Sequence, residues 1–293
     1  MDYQKFMNEL LTNLIHQDGS DLHLGEGRKP ALRINGELIF LANENPLSRD
    51  DMMGALTAMI GAEKVKEFIA TRDCDFAYTF GSDTRLRGNA SFQRGMMCLT
   101  LRLIPKAKSF DELNLPPILQ TFATRKQGFF LVVGPVGQGK STTLSALINL
   151  INKERAAHIV TVEEPIEFVY APDKSIVDQR EVGVDTKDFT TALKAVLRED
   201  VNVILIGEMR SPETIAAAVT AAETGHLVFS TLHTNNASQT IDRIIDSFPP
   251  SQQDQIRVQL SSSLLGVFSQ RLITRINGGR VPAFELLINN NAV

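Results

Sequence analysis

Residues 134–141 read GPVGQGKS, and this stretch constrains the fold more than any other. Glycines at 134 and 139, followed by lysine and serine, satisfy every fixed position of GxxxxGK[ST], the pattern of a loop that turns its backbone N–H groups inward around phosphates. The pattern has physical meaning only between a strand and a helix, because the helix N-terminus adds the positive end of its dipole to the cradle. Both flanks are present: FFLVV at 129–133 reads as a strand and STTLSALINL at 141–150 as a helix. A chain built around such a loop needs a parallel sheet with helices packed against it.

The sequence around the loop supplies that sheet. Apolar runs at 129–133, 159–162, 203–206 and 227–230 are almost continuous in Val, Ile, Leu and Phe, as strands buried on both faces are. Helical spacing lies between them at 142–152, 189–197 and 212–224, the last with Ser211 as N-cap and Pro212 in the first turn. Residues 1–105 have a different rhythm. The spacing predicts a helix over 1–16, a strand at 20–24, and a hairpin pairing 32–34 with 38–40 through Asn35-Gly36. Helices are then expected from Ser48 to about Ile60 and over 63–70, followed by strands at 75–80, 86–92 and 97–104. The reading is an α/β protein: a small α+β domain at 1–105, a proline-bracketed linker at 106–117, and a phosphate-loop domain at 118–293.

Within the loop, residues 134–142 (Gly134, Pro135, Val136, Gly137, Gln138, Gly139, Lys140, Ser141 and Thr142) are the candidate nucleotide-binding set. Lys140 is suited to the β- and γ-phosphates, and the Ser141 hydroxyl to Mg²⁺. Other candidates follow the buried strands. Glu163, Glu164 and Glu167 lie directly after the run at 159–162, where a parallel sheet places its chemistry. They suit a hydrated Mg²⁺ or the attacking water. Glu208 follows the run at 203–206; Gly207 stands where an aspartate commonly precedes that glutamate, leaving Glu208 alone to align water. His233 closes the run LVFSTL and is placed to sense a γ-phosphate, whereas His226 precedes it and is as readily structural. Arg85, Arg87, Arg94 and Arg102, all in the first domain, are candidate cations of the kind phosphoryl transfer draws from outside the loop domain.

Composition excludes several classes. The net charge of −4, with no Lys/Arg cluster, argues against a nucleic-acid partner. The two cysteines, Cys74 and Cys98, lack the spacing of a zinc site and the number of a disulfide scaffold. No apolar run approaches the roughly 18 residues of a membrane span. The amphipathic N-terminus, MDYQKFMNELL, lacks the basic-then-apolar order of a secretory signal. These features lead to the expectation of a cytoplasmic protein.

Taken together, the motifs resemble the type IV pilus retraction ATPases (PilT/PilU type) of the secretion ATPase superfamily. The resemblance spans nearly the whole chain. It rests on SDLHL (20–24), FQRG (92–95), LRLIP (101–105), GPVGQGKSTT (134–143), TVEEPIEF (161–168), QREVG (179–183), VLREDVNVILIGEMR (196–210), TAAETGHLVFSTLHT (220–234) and TIDRIIDSFP (240–249). It implies a PAS-like N-terminal domain joined to a RecA-like ATPase domain, assembled as a homohexamer. It also implies ATP and Mg²⁺ as ligands. The implied site has Glu208 aligning water, Glu163 and Glu167 supporting, and His233 sensing phosphate. Ser141 and Glu164 would hold Mg²⁺, in part through water, and Arg87 and Arg102 would add cations, with Arg94 as a further candidate.

The implied partners are an inner-membrane pilus platform protein and a paralogous retraction ATPase, with the protein cytoplasmic and peripheral to that membrane. In this chain Glu164 replaces the family's usual aspartate, one methylene longer. The sequence ends at Val293, so the family's helical C-terminal region is expected to be missing. Two rival motors are an extension or type II secretion assembly ATPase and a DNA-translocating RecA-like motor. The first usually carries a four-cysteine zinc insertion near Leu272, and 273–279 hold no cysteine; the second predicts a basic pore. A nucleotide-binding subunit without turnover is a third rival, disfavoured by the full set of reactive residues.

Overall fold

The computed structural model describes residues 2–81, 84–276 and 279–290. Met1 of the first predicted helix, 277–278 in the cysteine-free segment, and 291–293 at the chain end lie outside the described residues. The chain divides into two compact units, Met1–Pro105 and Lys106–Val293.

The first unit runs α1 (Tyr3–His16), β1 (Gly19–Gly25), β2 (Ala31–Ile34), β3 (Glu37–Phe40), α2 (Arg49–Thr71), β4 (Asp73–Phe80), β5 (Thr84–Gln93) and β6 (Met96–Ile104). Its strands form an antiparallel sheet in the order β3-β2-β1-β6-β5-β4. The Asn35-Gly36 hairpin forms as the sequence predicts, with both residues at positive φ. Ser48 caps α2 in a capping box with Asp51. The two helices expected after Ser48 are one element interrupted at Gly61, whose φ of 79° and ψ of 160° are not helical. Phe6, Met7, Leu10 and Leu14 of α1 and Met52, Leu56 and Phe68 of α2 share a core with Leu22, Leu86 and Leu101 of the sheet.

The second unit begins with α3 (Phe110–Leu113), a short 3-10 turn (Pro117–Leu119) and α4 (Gln120–Ala123). Residues 106–117, the proline-bracketed stretch, fall within this unit. Phe110 and Leu115 are buried in the unit's core, because a linker bearing large apolar residues gains by covering them.

Next come β7 (Gly128–Val133), α5 (Lys140–Glu154), β8 (His158–Glu163), β9 (Ile176–Glu181), α6 (Phe189–Val196), β10 (Val203–Ile206) and α7 (Pro212–Glu223). The unit ends with β11 (Leu227–Leu232), α8 (Ala237–Asp246), α9 (Pro250–Ser263), β12 (Leu264–Thr274) and β13 (Arg280–Ile288). The sheet order is β13-β12-β7-β11-β10-β8-β9, parallel throughout except for β12–β13. Alternate residues of the central strands face opposite layers. Phe130, Val132, Ile159, Val203 and Phe229 pack on Leu144, Leu147 and Ile151 of α5. Phe129, Leu131, Val133, Val160 and Ile204 pack on Leu193 of α6, Ile215 and Val219 of α7, and Ile256 and Leu260 of α9. Both faces being covered explains why these strands read as unbroken apolar runs. No helix among the described residues is long and apolar enough to cross a membrane.

Candidate functional site: a phosphate-loop cleft

The parallel strands all end on one edge, so β7, β8, β10 and β11 deliver their following residues to the same place. A cleft of about 690 Å³ opens there, lined by Gly137, Lys140, Ser141, Glu163, Glu164, Glu167, Glu208 and His233 among others. Strand β11 lies between β7 and β10, which sets His233 between the loop lysine and Glu208.

The loop's shape depends on its glycines and on a clamp from β12. A Cβ on Gly134 would stand 2.4 Å from the Gln270 carbonyl oxygen, so only glycine fits there. Buried Gln270 accepts from Thr143 Oγ1 (2.6 Å) and donates Nε2 to the Gln138 carbonyl (2.7 Å). The Gln138 side-chain oxygen accepts from the Leu272 N–H (2.7 Å), which ties the loop to β12 a second time. Helix α5 then starts at Lys140 after Gly139, and its N-terminus faces the cleft as an anion site.

Lys140 Nζ makes contacts of 2.9 Å to the Gly134 carbonyl, 3.0 Å to the Pro135 carbonyl and 3.1 Å to His233 Nδ1. An ammonium has three protons and no lone pair, so His233 Nδ1 accepts. Its other ring nitrogen, Nε2, lies 3.1 Å from Glu208 Oε1. Burial lowers the Lys140 pKa, and the Glu208 and Glu167 carboxylates oppose that shift. A phosphate arriving at the loop meets a lysine already desolvated and held by neutral acceptors that an anion outcompetes.

Glu163 and Glu208 differ in environment. Glu163 is buried, accepting from Thr161 Oγ1 (2.6 Å), Gln179 Nε2 (3.3 Å) and the Glu167 N–H. Burial pushes its pKa up to about 7, with the Glu167 charge adding to the rise, so it can exchange a proton near neutrality. Glu208 is half-buried, with Arg210 on Oε2 and His233 on Oε1. Gly207 precedes it because the neighbouring strand is close. A Cβ there would lie 3.3 Å from Glu163 Cα and 3.4 Å from the Val162 carbonyl, so an aspartate at 207 would crowd β8.

The family profile described as "Type II/IV secretion system protein" matches residues 91–279. The chain belongs to that family. It is 42% identical over 288 residues to the Pseudomonas aeruginosa protein named "Type IV pilus retractation ATPase PilT", covering 98% of this chain and 83% of that one. It is 44% identical over 266 residues to a "Twitching motility protein" of Neisseria gonorrhoeae, covering 90% of this chain and 71% of that one. Its fold matches a crystal structure of the pilus retraction motor PilT with bound ADP at a TM-score of 0.90 and 45% identity, over 97% of this chain and 83% of that one. This chain is thus an ATPase of the secretion ATPase family.

Among the secretion-family candidates, the cleft gathers Lys140, Ser141, Glu163, Glu164, Glu167, Glu208 and His233. His226 lies elsewhere: its ring Nδ1 bonds the Ala221 carbonyl (2.9 Å) at the start of β11. Arg87 and Arg102 lie in the first unit, directly paired across β5 and β6, with Asp21 of β1 opposite Arg102. Arg102 Nε donates to Asp21 Oδ1 at 2.8 Å. Arg94 stands exposed at the β5–β6 turn with φ of 51°. Sequence reasoning missed Gln270 and Gln179, single polar residues far from the motifs they serve, and gave Arg210 no partner. Its two carboxylate partners are separated by 46 and 2 residues; only the nearer could have been suspected from spacing.

Proposed function

We propose that this chain is the ATP-hydrolysing motor of a type IV pilus retraction machine. The line Lys140–His233–Glu208 across the end of β7, β11 and β10 carries the reading. It connects the group that grips phosphate to the group that can orient water, within a fold matching ADP-bound PilT. In the proposed reaction the water oxygen attacks the γ-phosphorus, the bond to the β,γ-bridging oxygen breaks, and ADP leaves. Glu208 orients the water, Glu167 supports it, and Glu163 holds a proton nearby. Residues 134–142 cradle the phosphates, and His233 reports their presence to Glu208.

No cluster of three metal-ligating side chains occurs among the described residues. The donor set suits Mg²⁺, which binds chiefly through phosphates and waters. In the proposal Ser141 supplies a direct oxygen and Glu164 a water-bridged one, and Mg²⁺ would neutralise charge on the β- and γ-phosphates. Glu164 Oε2 is engaged by Arg210, leaving its other oxygen for that role. The same reading takes the first unit as PAS-like and the second as RecA-like, the assembly as a homohexamer, and the partners as an inner-membrane platform protein and a paralogous ATPase. It also assigns Arg87 and Arg102, exposed on one face of the first sheet, to turnover.

The test combines ATPase assay with Mg²⁺ present or chelated, size measurement with and without ATP, and complementation of twitching in a bacterium lacking its retraction ATPase. Mg²⁺-dependent hydrolysis by a ring-sized particle that restores twitching is expected. A monomer without hydrolysis in every condition would overturn the reading.

A further inference from the structure

Arg210 touches the site from behind. Between β10 and the Ser211 cap of α7, Met209 is buried and its N–H bonds the Thr231 carbonyl at 3.3 Å, which pins this segment to β11. With Met209 held inward, its neighbours Glu208 and Arg210 stand outward together. Arg210 Nε and Nη2 both reach Glu208 Oε2, at 3.0 and 2.9 Å, while Nη1 reaches Glu164 Oε2 at 2.9 Å. One planar cation thereby ties the carboxylate after β10 to a carboxylate after the neighbouring β8.

The position of the guanidinium matters as much as its bonds. Glu208 and His233 line both the nucleotide cleft and a second hollow of about 590 Å³. Arg210 lines the second hollow with Arg243 and Asn235, and is not part of the lining of the first. Glu208 and His233 are the partition, and Arg210 is on the far side from Lys140. It therefore grips Glu208 without occupying the space of the phosphates.

A carboxylate offers about four lone-pair sites. Arg210 Nε hydrogen-bonds Oε2, with Nη2 beside the same oxygen, while His233 Nε2 is the neighbour of Oε1, so the cation holds Oε2 and Oε1 keeps acceptor capacity for a further donor such as a water proton. Without Arg210 the glutamate is free to roll about its side-chain torsions, and the site it presents is no longer fixed. We propose that Arg210 is a positioning residue for hydrolysis, acting through Glu208 by fixing which carboxylate oxygen faces the cleft. The inference rests on the reading of Glu208 as the residue that orients the attacking water. It also gives Glu164 a second part, as the carboxylate that fixes the orientation of the guanidinium on Glu208.

Three roles for Arg210 predict different kinetics. A residue that orients Glu208 lowers kcat and leaves nucleotide affinity alone. A phosphate ligand raises KM and Kd. An ordinary surface ion pair changes neither. The experiment measures kcat, KM and the Kd for a fluorescent ADP in the wild type, Arg210→Ala, Arg210→Lys, Glu208→Gln and the Arg210→Ala/Glu208→Gln double variant. Arg210→Ala should lower kcat about 10-fold or more, as losing a partner that orients a reactive ligand does, with Kd within about twofold of wild type.

Arg210→Lys should fall between, since a lysine ammonium lacks the planar fork that spans two carboxylates. It also carries the test by the same kcat-against-Kd split if the alanine variant folds poorly. The double variant should be no slower than Glu208→Gln alone, because both changes remove one function. Wild-type kcat in Arg210→Ala, a rise in Kd with kcat kept, or losses that multiply in the double variant would each overturn the proposal. Wild-type turnover in Glu208→Gln alone would overturn the reading of Glu208 beneath it, and is read from that single variant.

Discussion

Asp21–Arg102 in the first unit and Glu208–Arg210 in the second are ion pairs of nearly equal length, 2.8 and 2.9 Å, in opposite surroundings. The Asp21 carboxylate is buried on the sheet, with Arg102 on one oxygen and Ser20 Oγ on the other at 2.8 Å. Burial alone would raise its pKa; the bonds from Arg102 and Ser20, helped by the charges of Arg102 and His23, outweigh it and hold the pKa below the usual carboxylate value. Both cations are exposed, Arg102 by 72% and Arg210 by 63%, so the difference lies in the acids: Glu208 is only partly buried, and Arg210 divides itself between two carboxylates. A buried acid with its own cation is locked to the fold, since losing that cation strands a charge away from water. A partly buried acid with a cation on one oxygen and a histidine beside the other is oriented without being locked, which is the condition for handing one contact to a substrate.

The strongest way to break this comparison is to remove the cation that connects the exposed cluster to the loop. Lys140→Ala should raise the nucleotide Kd about 100-fold, as loss of charge-assisted bonds to phosphate does; isothermal titration checks it. Near-wild-type affinity would mean that the loop backbone alone holds phosphate.

Next is the pair whose acid is buried. Arg102→Ala should cost about 1 kcal/mol at neutral pH, because the exposed guanidinium is screened by water while the carboxylate it serves is not; denaturant unfolding measures it. Because Asp21 has a lowered folded pKa, the stability it contributes is present above its unfolded pKa and is lost as pH falls through the folded one. The gap between wild type and Arg102→Ala should therefore close in acid. For testing turnover, Arg87→Ala is the cleaner substitution, since Asp21 pairs with Arg102.

Arg210→Ala sharpens the contrast from the other side. Its effect on stability should stay within about 0.5 kcal/mol, the usual worth of an exposed pair, although turnover falls. A loss comparable to that of Arg102→Ala would put the two pairs in one class.

A contrast of a different kind, one of pH dependence, concerns Glu163. Its folded pKa of about 7 lies above the unfolded value of 4.5. The stability from its protonated form is complete below the unfolded pKa and fades as pH rises through the folded one. Wild type should therefore lose stability relative to Glu163→Gln between those two pH values. A difference that stays flat with pH would contradict the burial-driven shift.

The sequence disclosed what local pattern can carry. The strand–loop–helix around Lys140, the central strands and the Asn35-Gly36 hairpin each depend on residues a few places apart. The seam at the edge of the second sheet was not legible in the same way. Helix α9 runs straight into β12 at Ser263 and Leu264 with no turn residue between them, and β13 carries Pro282 on an edge strand, where it is tolerated. The clamp on the loop joins Gln138 to Gln270 and Leu272, 132 and 134 residues away, and no periodicity announces such a contact. Gly207 was visible as a departure from the usual aspartate, but its cause, the closeness of Glu163 Cα, belongs to the packing of β8 against β10. The candidate carboxylates were recognisable as a set; that one is buried and shifted while another is held by Arg210 required the fold.

The most direct test of the account is the turnover of Glu208→Gln at saturating ATP, with ADP affinity measured on the same protein. Glutamine keeps the shape and a hydrogen-bonding oxygen but loses the charge that aligns water and accepts from Arg210. The account predicts a fall in kcat of about 100-fold or more, with ADP affinity within about threefold of wild type. Wild-type turnover by this variant would contradict it.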